Sequence, residues 1–186
     1  MTHMFEGKLV RLRASDPADD QPFGEWARNY PDEERFLDEI HFPRPRTRAP
    51  ADESAPKPPA GENENFQFTI ETLSGETAGA IHIHHANRHN GTFMYGIALL
   101  PDHRRKGYAA EAIRLVLNYY FNERRYQKCN VEVFGFNPGS ARLHETVGFT
   151  LEGRLRRMIY SMGAYHDVLC YGITDEEFRQ RNQDQR

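Results

Sequence analysis

The arrangement of the whole chain follows from one segment, Leu99-Leu100-Pro101-Asp102-His103-Arg104-Arg105-Lys106-Gly107-Tyr108-Ala109-Ala110-Glu111-Ala112. An apolar strand pattern ends here at a proline, and an apolar-striped helix pattern begins through Arg-x-x-Gly-x-Ala. Such a turn directs successive backbone N–H groups and the positive end of the helix dipole into one concavity. Gly107 lets the backbone approach a ligand closely, and Ala109 is too small to block it. We therefore predict an anion site suited to a pyrophosphate, with Arg104, Arg105 and Lys106 adding positive potential at its mouth.

The glycine pattern alone does not separate a pyrophosphate site from an ordinary helix start that carries a solvated basic cluster. A P-loop is excluded because the GxxxxGK[ST] spacing is absent, and a Rossmann turn lacks its further glycines and its opening strand. A second segment favours the pyrophosphate site. One helix and one strand later, the chain runs Asn137-Pro138-Gly139-Ser140-Ala141-Arg142-Leu143-His144-Glu145-Thr146-Val147-Gly148-Phe149.

Together, the two segments resemble the signature of the GNAT superfamily of acetyl-CoA-dependent N-acyltransferases. In that signature a pyrophosphate loop R/Q-x-x-G-x-G/A precedes N-x-x-[AS]-x-x-L-[Y]-x-x-x-G-F. The resemblance is strong over 91–149 and weaker at the opening 5–12 and at the closing strand. The opening 6–13, the helix start 107–112 and the segment 137–149 are most similar to the ribosomal-protein alanine acetyltransferase (RimJ/RimL) branch. That branch also contains members that modify antibiotics and small amines.

The resemblance implies an α+β GNAT fold, with a central mixed, mostly antiparallel sheet of about seven strands and helices on both faces. It also implies that the strands 93–100 and 129–134 splay apart around the acetyl-pantetheine arm. Hydrophobic periodicity predicts strands at 7–13, 66–73, 78–84, 92–100, 129–134, 150–156 and 165–172. It predicts helices at 109–120 and 140–147, with three others beginning near Asp16, Pro31 and Thr174. A helix followed by a strand implies a βαβ crossover and a parallel strand pair.

Acetyl-CoA is the cosubstrate that the resemblance implies, and no metal is expected. The residues expected at the cofactor are Ile97, Leu99, Leu100, Arg104, Arg105, Lys106, Gly107, Tyr108, Ala109, Ala110, Asn137 and Ser140. Of these, Ile97, Leu99 and Leu100 are expected to lend backbone groups to the pantetheine and thioester, and residues 105–110 to hold the pyrophosphate. Asn137 is expected to contact the pantetheine arm, and Ser140 the CoA near its sulfur.

The candidates for proton transfer are His144, Ser140 and Tyr95. Many GNAT members carry at position 144 the tyrosine that protonates the departing thiolate, whereas this chain has a histidine. A histidine titrates near neutrality and is able to donate that proton, unless it is an ordinary surface residue of its helix. Ser140 is the alternative donor or a pure CoA ligand. Tyr95 is a candidate for relaying a proton through water, and packing is its alternative role.

The general base is not determined by the sequence. Glu71 and Glu132 are strand carboxylates that are open as bases or as ion-paired surface residues. Water is a further proton acceptor, because orienting the amine against the thioester supplies much of the acceleration. His82 and His84 lie two residues apart and share one strand face, but no third zinc ligand is evident, which favours a solvated face.

Length and composition narrow the class of protein. A chain of 186 residues predicts one catalytic domain over 1–186. A formal net charge of -3 argues against nucleic acid as a partner, because there is no global basic field. Without a long apolar run or a secretory signal, we expect no membrane partner and a cytoplasmic location. Cys129 and Cys170 lack CxxC or Cys/His spacing and are expected to be reduced core residues.

The acceptor side is less specified. The proline-rich segment 43–64 is predicted to be a long mobile loop beside a ligand site, and 180–186 a polar tail. Acidic residues at 32–39 and in that loop favour a cationic amine, and candidate acceptors are a protein N-terminus, a polyamine or an amino-group antibiotic. The branch often pairs through its C-terminal strands, which allows a homodimer. The rival hypothesis is a CoA-binding sensor or interaction module without turnover.

Overall fold

The computed structural model describes residues 4–30, 33 and 65–184. The strands are β1 (Val10–Ala14), β2 (Gln67–Thr72), β3 (Thr77–Asn87), β4 (Thr92–Leu99), β5 (Lys128–Phe134), β6 (Thr150–Ser161) and β7 (Ala164–Thr174). The α-helices are α1 (Asp20–Asn29), α2 (Tyr108–Asn118), α3 (Pro138–Val147) and α4 (Asp175–Asp184). The expected helix from Pro31 and the expected loop 43–64 lie outside the described residues, apart from Glu33.

The seven strands form one sheet in the order β1-β2-β3-β4-β5-β7-β6. Every neighbouring pair is antiparallel except β4 and β5, which are parallel. The α+β architecture with a mostly antiparallel mixed sheet is therefore confirmed. No helix in the described ranges 4–30 and 65–184 is long and apolar enough to cross a membrane.

The parallel pair is short, and this shortness opens the sheet. The strands β4 and β5 are paired only from Thr92 with Lys128 to Met94 with Asn130. Beyond that point β4 stays paired with β3 as far as Leu99, and β5 stays paired with β7 as far as Phe134. Each strand thus keeps its outer neighbour while the two inner edges separate, which confirms the splayed pair.

Local sequence signals account for the elements around this opening. Asp16 forms a capping box with Asp19 at the turn that precedes α1. Gly91 has a φ of 65° in the turn between β3 and β4, as the Asn-Gly pair predicts. The apolar stripe of α2 buries Ile113 and Leu117 in the core, and this packing fixes the helix against the sheet.

The structure differs from the sequence-based expectations at two element boundaries and at one cysteine. The segment from 180 to Asp184, expected to be a polar tail after a short helix, is polar but continues α4, in which Phe178 packs against the core and Glu177 bonds back to Thr174. The strand β1 begins at Val10 and not at residue 7, because a side chain of α2 binds the N–H groups before it. Cys170 is a free thiol but is only partly buried, unlike Cys129.

Candidate active site

A cavity of about 380 Å³ lies where β4 and β5 separate. It is lined by Trp26, Tyr95, Gly96, Ile97, Ala98, Leu99, Arg104, Val131, Glu132, Val133, Phe134, Asn137, Ser140 and His144. Besides Arg104, six residues that were expected to contact the cofactor or to transfer protons line this cavity: Tyr95, Ile97, Leu99, Asn137, Ser140 and His144. They come from β4, from α3 and from the residue that caps α3. Leu100 and residues 105–110 do not line the cavity; they form the loop and first turn of α2.

His144 lies in the core, not on the surface of its helix. Its side chain is 3% exposed, and its ring packs against Tyr95, Phe149 and Tyr171 with centroid separations of 5.8, 5.2 and 6.3 Å. Nδ1 lies 2.8 Å from the carbonyl oxygen of Ser140, which only accepts, so Nδ1 carries a proton. Burial lowers the pKa of His144 below its ordinary value, against the opposing effect of that hydrogen bond. The ring is therefore neutral at pH 7, and Nε2 presents a lone pair.

Two buried polar atoms of the cavity wall have no hydrogen-bond partner within the described part of the chain: the Tyr95 hydroxyl and His144 Nε2. Burial raises the pKa of Tyr95 well above 10, so the phenol stays protonated and is able to donate. The pair thus combines one donor and one acceptor. Because an unsatisfied buried polar group costs about 1–3 kcal/mol, such a pair in a cavity wall indicates a ligand that supplies the missing partners.

The N-terminus of α3 is capped by the asparagine of the second sequence segment. Asn137 accepts a hydrogen bond from the Ser140 N–H at 3.1 Å through its side-chain oxygen. The Ser140 hydroxyl lies 3.4 Å from His144 Nδ1. This contact is longer than the 2.8 Å hydrogen bond from His144 Nδ1 to the Ser140 carbonyl oxygen. Asn137 thereby shapes the turn that positions Ser140 and, through it, His144.

The loop before α2 has the backbone conformation that a close anion contact needs. Arg105 and Gly107 have φ angles of 60° and 85°, and Gly107 is the residue immediately before the helix. The first N–H groups of a helix have no partner within it and face outward together. Arg105, Lys106 and Gly107 are exposed, so these groups are accessible to a phosphate.

Glu111 ties the N-terminal segment to this loop, a role that sequence reasoning missed. Its carboxylate accepts from the N–H groups of Lys8, Leu9 and Val10 at 2.8, 2.7 and 2.8 Å. A Cβ on Gly7 would lie 2.4 Å from the Glu111 carboxyl carbon, so the glycine is required at this approach. The Glu-Gly-Lys opening and the Ala-Ala-Glu-Ala helix start were the available signals, but a pairing across more than 100 residues is not encoded locally.

The sequence had led us to expect Arg104 at the mouth of the loop, but its side chain does not project there. Its side chain turns into the cavity, where it forms an ion pair with Glu33 at 2.7 Å and lies over the ring of Trp26. Its Nε also donates to the Leu99 carbonyl oxygen at 3.0 Å. Glu33 neutralises its charge, so Arg105 and Lys106 carry the positive potential of the loop. Sequence reasoning included Glu33 only as one of the acidic residues at 32–39 that favour a cationic amine, and it did not identify Trp26.

The remaining base and metal candidates from the sequence differ in their surroundings. Glu71 is buried and accepts hydrogen bonds from Arg11 and Arg13. Burial raises the pKa of Glu71, but the hydrogen bonds from the two arginines outweigh this effect, so the pKa is lowered overall. Glu71 therefore has a structural role and does not transfer protons. Glu132 lines the cavity and is exposed. His82 and His84 stand 5.8 Å apart, and the described residues contain no group of three potential ligands placed to hold a metal ion.

A cavity between splayed parallel strands, followed by a glycine loop at the start of the next helix, defines the donor half of an acyl-CoA-dependent acyltransferase. Residues 10–150 match the family model described as an acetyltransferase (GNAT) domain. The chain therefore belongs to the GNAT family. It is an N-acetyltransferase, and acetyl-CoA is its cosubstrate.

Two curated relatives and one solved structure are similar to the chain. It is 39% identical over 176 residues to the SPbeta prophage-derived uncharacterized N-acetyltransferase YokL of Bacillus subtilis (strain 168), covering 92% of this chain and 93% of that protein. It is 26% identical over 122 residues to the spermidine N(1)-acetyltransferase of Vibrio cholerae, covering 66% and 70%. The crystal structure of spermidine N-acetyltransferase from Vibrio cholerae with CoA and spermine is similar in fold, with a TM-score of 0.76 at 20% identity over 93% of this chain and 99% of that one.

Proposed function

We propose that the chain acetylates a primary amine of a small cationic acceptor by direct attack on acetyl-CoA in a ternary complex. The observation that carries this proposal is the pair of unpartnered buried atoms, the Tyr95 hydroxyl and His144 Nε2, in the wall of one cavity. A polyamine is the favoured acceptor, since a 26% identical relative is a spermidine acetyltransferase and Glu33 places a carboxylate against Arg104 and Trp26, two residues of the cavity lining. A protein N-terminus, which the RimJ/RimL resemblance favours, and an antibiotic amine are the other candidates.

On the donor side, the exposed loop of Arg105, Lys106 and Gly107 and the first turn of α2 hold the pyrophosphate. The backbone of Ile97 and Leu99 at the open edge of β4 receives the pantetheine arm, since β5 no longer pairs there. Leu100, which was also expected to contribute, is excluded because its N–H donates to the Ala78 carbonyl oxygen and its own carbonyl oxygen accepts from the His103 N–H. Asn137 shapes the turn beside the arm, and Ser140 faces the sulfur. Acetyl-CoA supplies the thioester whose carbonyl carbon is attacked.

The protein's own groups move the protons. The neutral amine forms a C–N bond to the thioester carbonyl carbon, the C–S bond breaks, and the products are the N-acetyl amine and the CoA thiol. His144 Nε2 has a free lone pair and takes the proton that the amine loses. The Tyr95 hydroxyl donates its proton to the departing sulfur, and the proton held by His144 then passes to the Tyr95 oxygen, so that both groups return to their starting states. His144 thus acts first as a base, which reverses the role assigned to it from the sequence.

The proposed acceptor and mechanism are tested by free-thiol detection with acetyl-CoA and a panel of amines. We expect thiol release with spermidine and other diamines, accompanied by an N-acetylated product in mass spectrometry. A peptide with a free N-terminal alanine and an aminoglycoside represent the other two acceptor classes. Tight acetyl-CoA binding without thiol release across the panel would contradict the proposal and favour the CoA sensor.

The C-terminal hairpin supports a homodimer. The strand β6 is an edge of the sheet, and six large apolar side chains of this hairpin are exposed. These are Leu151, Leu155, Met158, Tyr160, Met162 and Tyr165. An edge strand with such a face pairs readily with its own copy around a two-fold axis, because the two unpaired strands are identical and antiparallel.

We expect the double substitution Met158→Lys with Tyr160→Lys to shift the protein from dimer to monomer. The two side chains are 64% and 63% exposed, so the folded chain tolerates lysine, whereas an apolar interface does not. Sedimentation equilibrium measures the change. Leu73→Lys, a 51% exposed apolar residue in the turn after β2, is the matched control and should leave the mass unchanged. A wild-type protein that is monomeric at high micromolar concentration would contradict the homodimer.

A further inference from the structure

The cavity already contains a cation, and it belongs to the chain itself. Arg104 Nη1 and Nη2 donate to the two carboxylate oxygens of Glu33 at 3.1 and 2.7 Å. The guanidinium carbon lies 5.5 Å from the centre of the Trp26 ring, within the range of a cation–π contact. A carboxylate and an aromatic face thus surround one positive charge.

The carboxylate is held in place by a second contact that does not involve Arg104. Trp26 Nε1 donates to Glu33 at 2.7 Å, and Trp26 itself is only 7% exposed. The hydrogen bonds from Arg104 lower the pKa of Glu33 against the effect of burial, and the Trp26 bond lowers it further. Without Arg104, Glu33 still accepts the hydrogen bond from Trp26, which lines the cavity, so the carboxylate stays fixed beside the cavity wall.

The ion pair is also easy to break. The Arg104 and Glu33 side chains keep 37% and 26% of their surface exposed. Ion pairs with this degree of exposure contribute little to stability, because solvent screens the charges and two side chains must be held still. A competing ammonium group that reaches Glu33 from the cavity therefore replaces Arg104 at small cost.

We propose that Glu33 and Trp26 form a subsite for a second cationic group of the acceptor, and that Arg104 fills this subsite until the acceptor displaces it. This inference rests on the proposed function, since the other amine of the same acceptor reacts beside Tyr95 and His144. It makes the substrate a diamine or polyamine and gives Glu33 the role of a specificity-determining residue. An amine without a second charge gains nothing from the subsite.

Displacement of Arg104 also links the two substrates. Arg104 Nε donates a hydrogen bond to the Leu99 carbonyl oxygen, a group that the proposed function assigns to the pantetheine arm. A bound cofactor therefore displaces the same side chain, Arg104, that a bound diamine displaces from Glu33. Whichever ligand binds first and frees Arg104 makes the second binding step more favourable, and this coupling is reciprocal.

The test compares diaminooctane with octylamine, which share a chain length and differ in the second charge. In Glu33→Gln we expect the KM for diaminooctane relative to that for octylamine to rise by about tenfold, since a charged hydrogen bond becomes a neutral one. Glu25→Gln is the matched control: it removes an exposed carboxylate of α1 that bonds to Gln21 at 3.2 Å, and it should leave the ratio unchanged. A ratio that stays constant in Glu33→Gln would overturn the subsite.

Calorimetry of diaminooctane binding to the protein without acetyl-CoA tests the inference independently of turnover. Glu33→Gln is expected to weaken this binding, and Arg104→Gln to tighten it severalfold because the internal competitor is gone. Equal affinities in the wild type and both variants would overturn the inference even if diamines are acetylated. Glu33-dependent binding without any thiol release would leave the subsite standing and contradict the acetyltransferase proposal. Melting temperatures of the variants exclude misfolding as the cause.

Discussion

Gly107→Asp is expected to weaken CoA binding by at least about 100-fold, equivalent to roughly 2.8 kcal/mol, as measured by calorimetry. Gly107 precedes the first residue of α2 with a φ of 85°, and its backbone faces the site proposed for the pyrophosphate. An aspartate there adds a negative charge against the phosphates, and its Cβ meets Leu9 Cδ1 at 3.2 Å. A positive φ strains any side chain at this position, so the melting temperature is measured beside the affinity to show that the variant is folded.

Two controls separate charge from backbone strain. Gly107→Asn has a similar shape without the charge, and asparagine adopts positive φ more readily than most residues, so we expect a loss of only about tenfold. Gly75→Asp introduces the same charge at a φ of 93° in an open turn between β2 and β3, and should leave CoA affinity within about twofold. Unchanged CoA binding in Gly107→Asp would contradict the assignment of the pyrophosphate to this loop.

His144→Asn is expected to lower kcat by roughly 10²- to 10⁴-fold, the usual contribution of a positioned acid or base. The asparagine amide retains a donor toward the Ser140 carbonyl oxygen but removes the lone pair of Nε2. The folded structure should therefore be preserved while the proton acceptor is lost. Steady-state kinetics with spermidine and acetyl-CoA measure the effect, and His82→Asn on the exposed face of β3 is the matched control.

The pH profile distinguishes a base from a packing residue. The pKa of His144 is lowered from an ordinary value of about 6.5, so the ring is neutral at pH 7 and becomes protonated only as the pH falls below that value. We expect kcat/KM to fall on the acid side at a pH below 6.5 in the wild type, and this limb to be absent in His144→Asn. A kcat within about threefold of the wild type, with the same acid limb, would favour water as the proton acceptor.

The backbone features proposed for the donor half of the site were predictable, because short sequence patterns encode local backbone conformation. Gly107 marks a positive φ before a helix, and Asn137 marks the cap of the helix that carries Ser140. A helix and a strand between the two motifs imply a parallel pair. The seven-stranded sheet with its splayed pair follows from these local signals and the resemblance together.

The state of His144 was not predictable in the same way. Whether its ring is buried depends on Tyr95, Phe149 and Tyr171, which come from three different strands or loops. Burial lowers its pKa, and the bond from Nδ1 to Ser140 selects the tautomer. The residue type indicated proton transfer, but only the packing shows that the ring is neutral with a lone pair on Nε2.

The sequence by itself determined the GNAT fold, the positive φ before α2 and the cap of α3, which are the local features behind the proposed donor site. Only the tertiary structure decided which partners those residues have. Arg104 and Glu33 lie 71 positions apart, and Glu111 binds N–H groups more than 100 positions away. Periodicity and capping patterns act over a few residues, whereas these contacts form only when the sheet brings distant segments together. That is why the features proposed for the donor side are encoded locally, whereas the contacts proposed for the acceptor side became visible only in the folded chain.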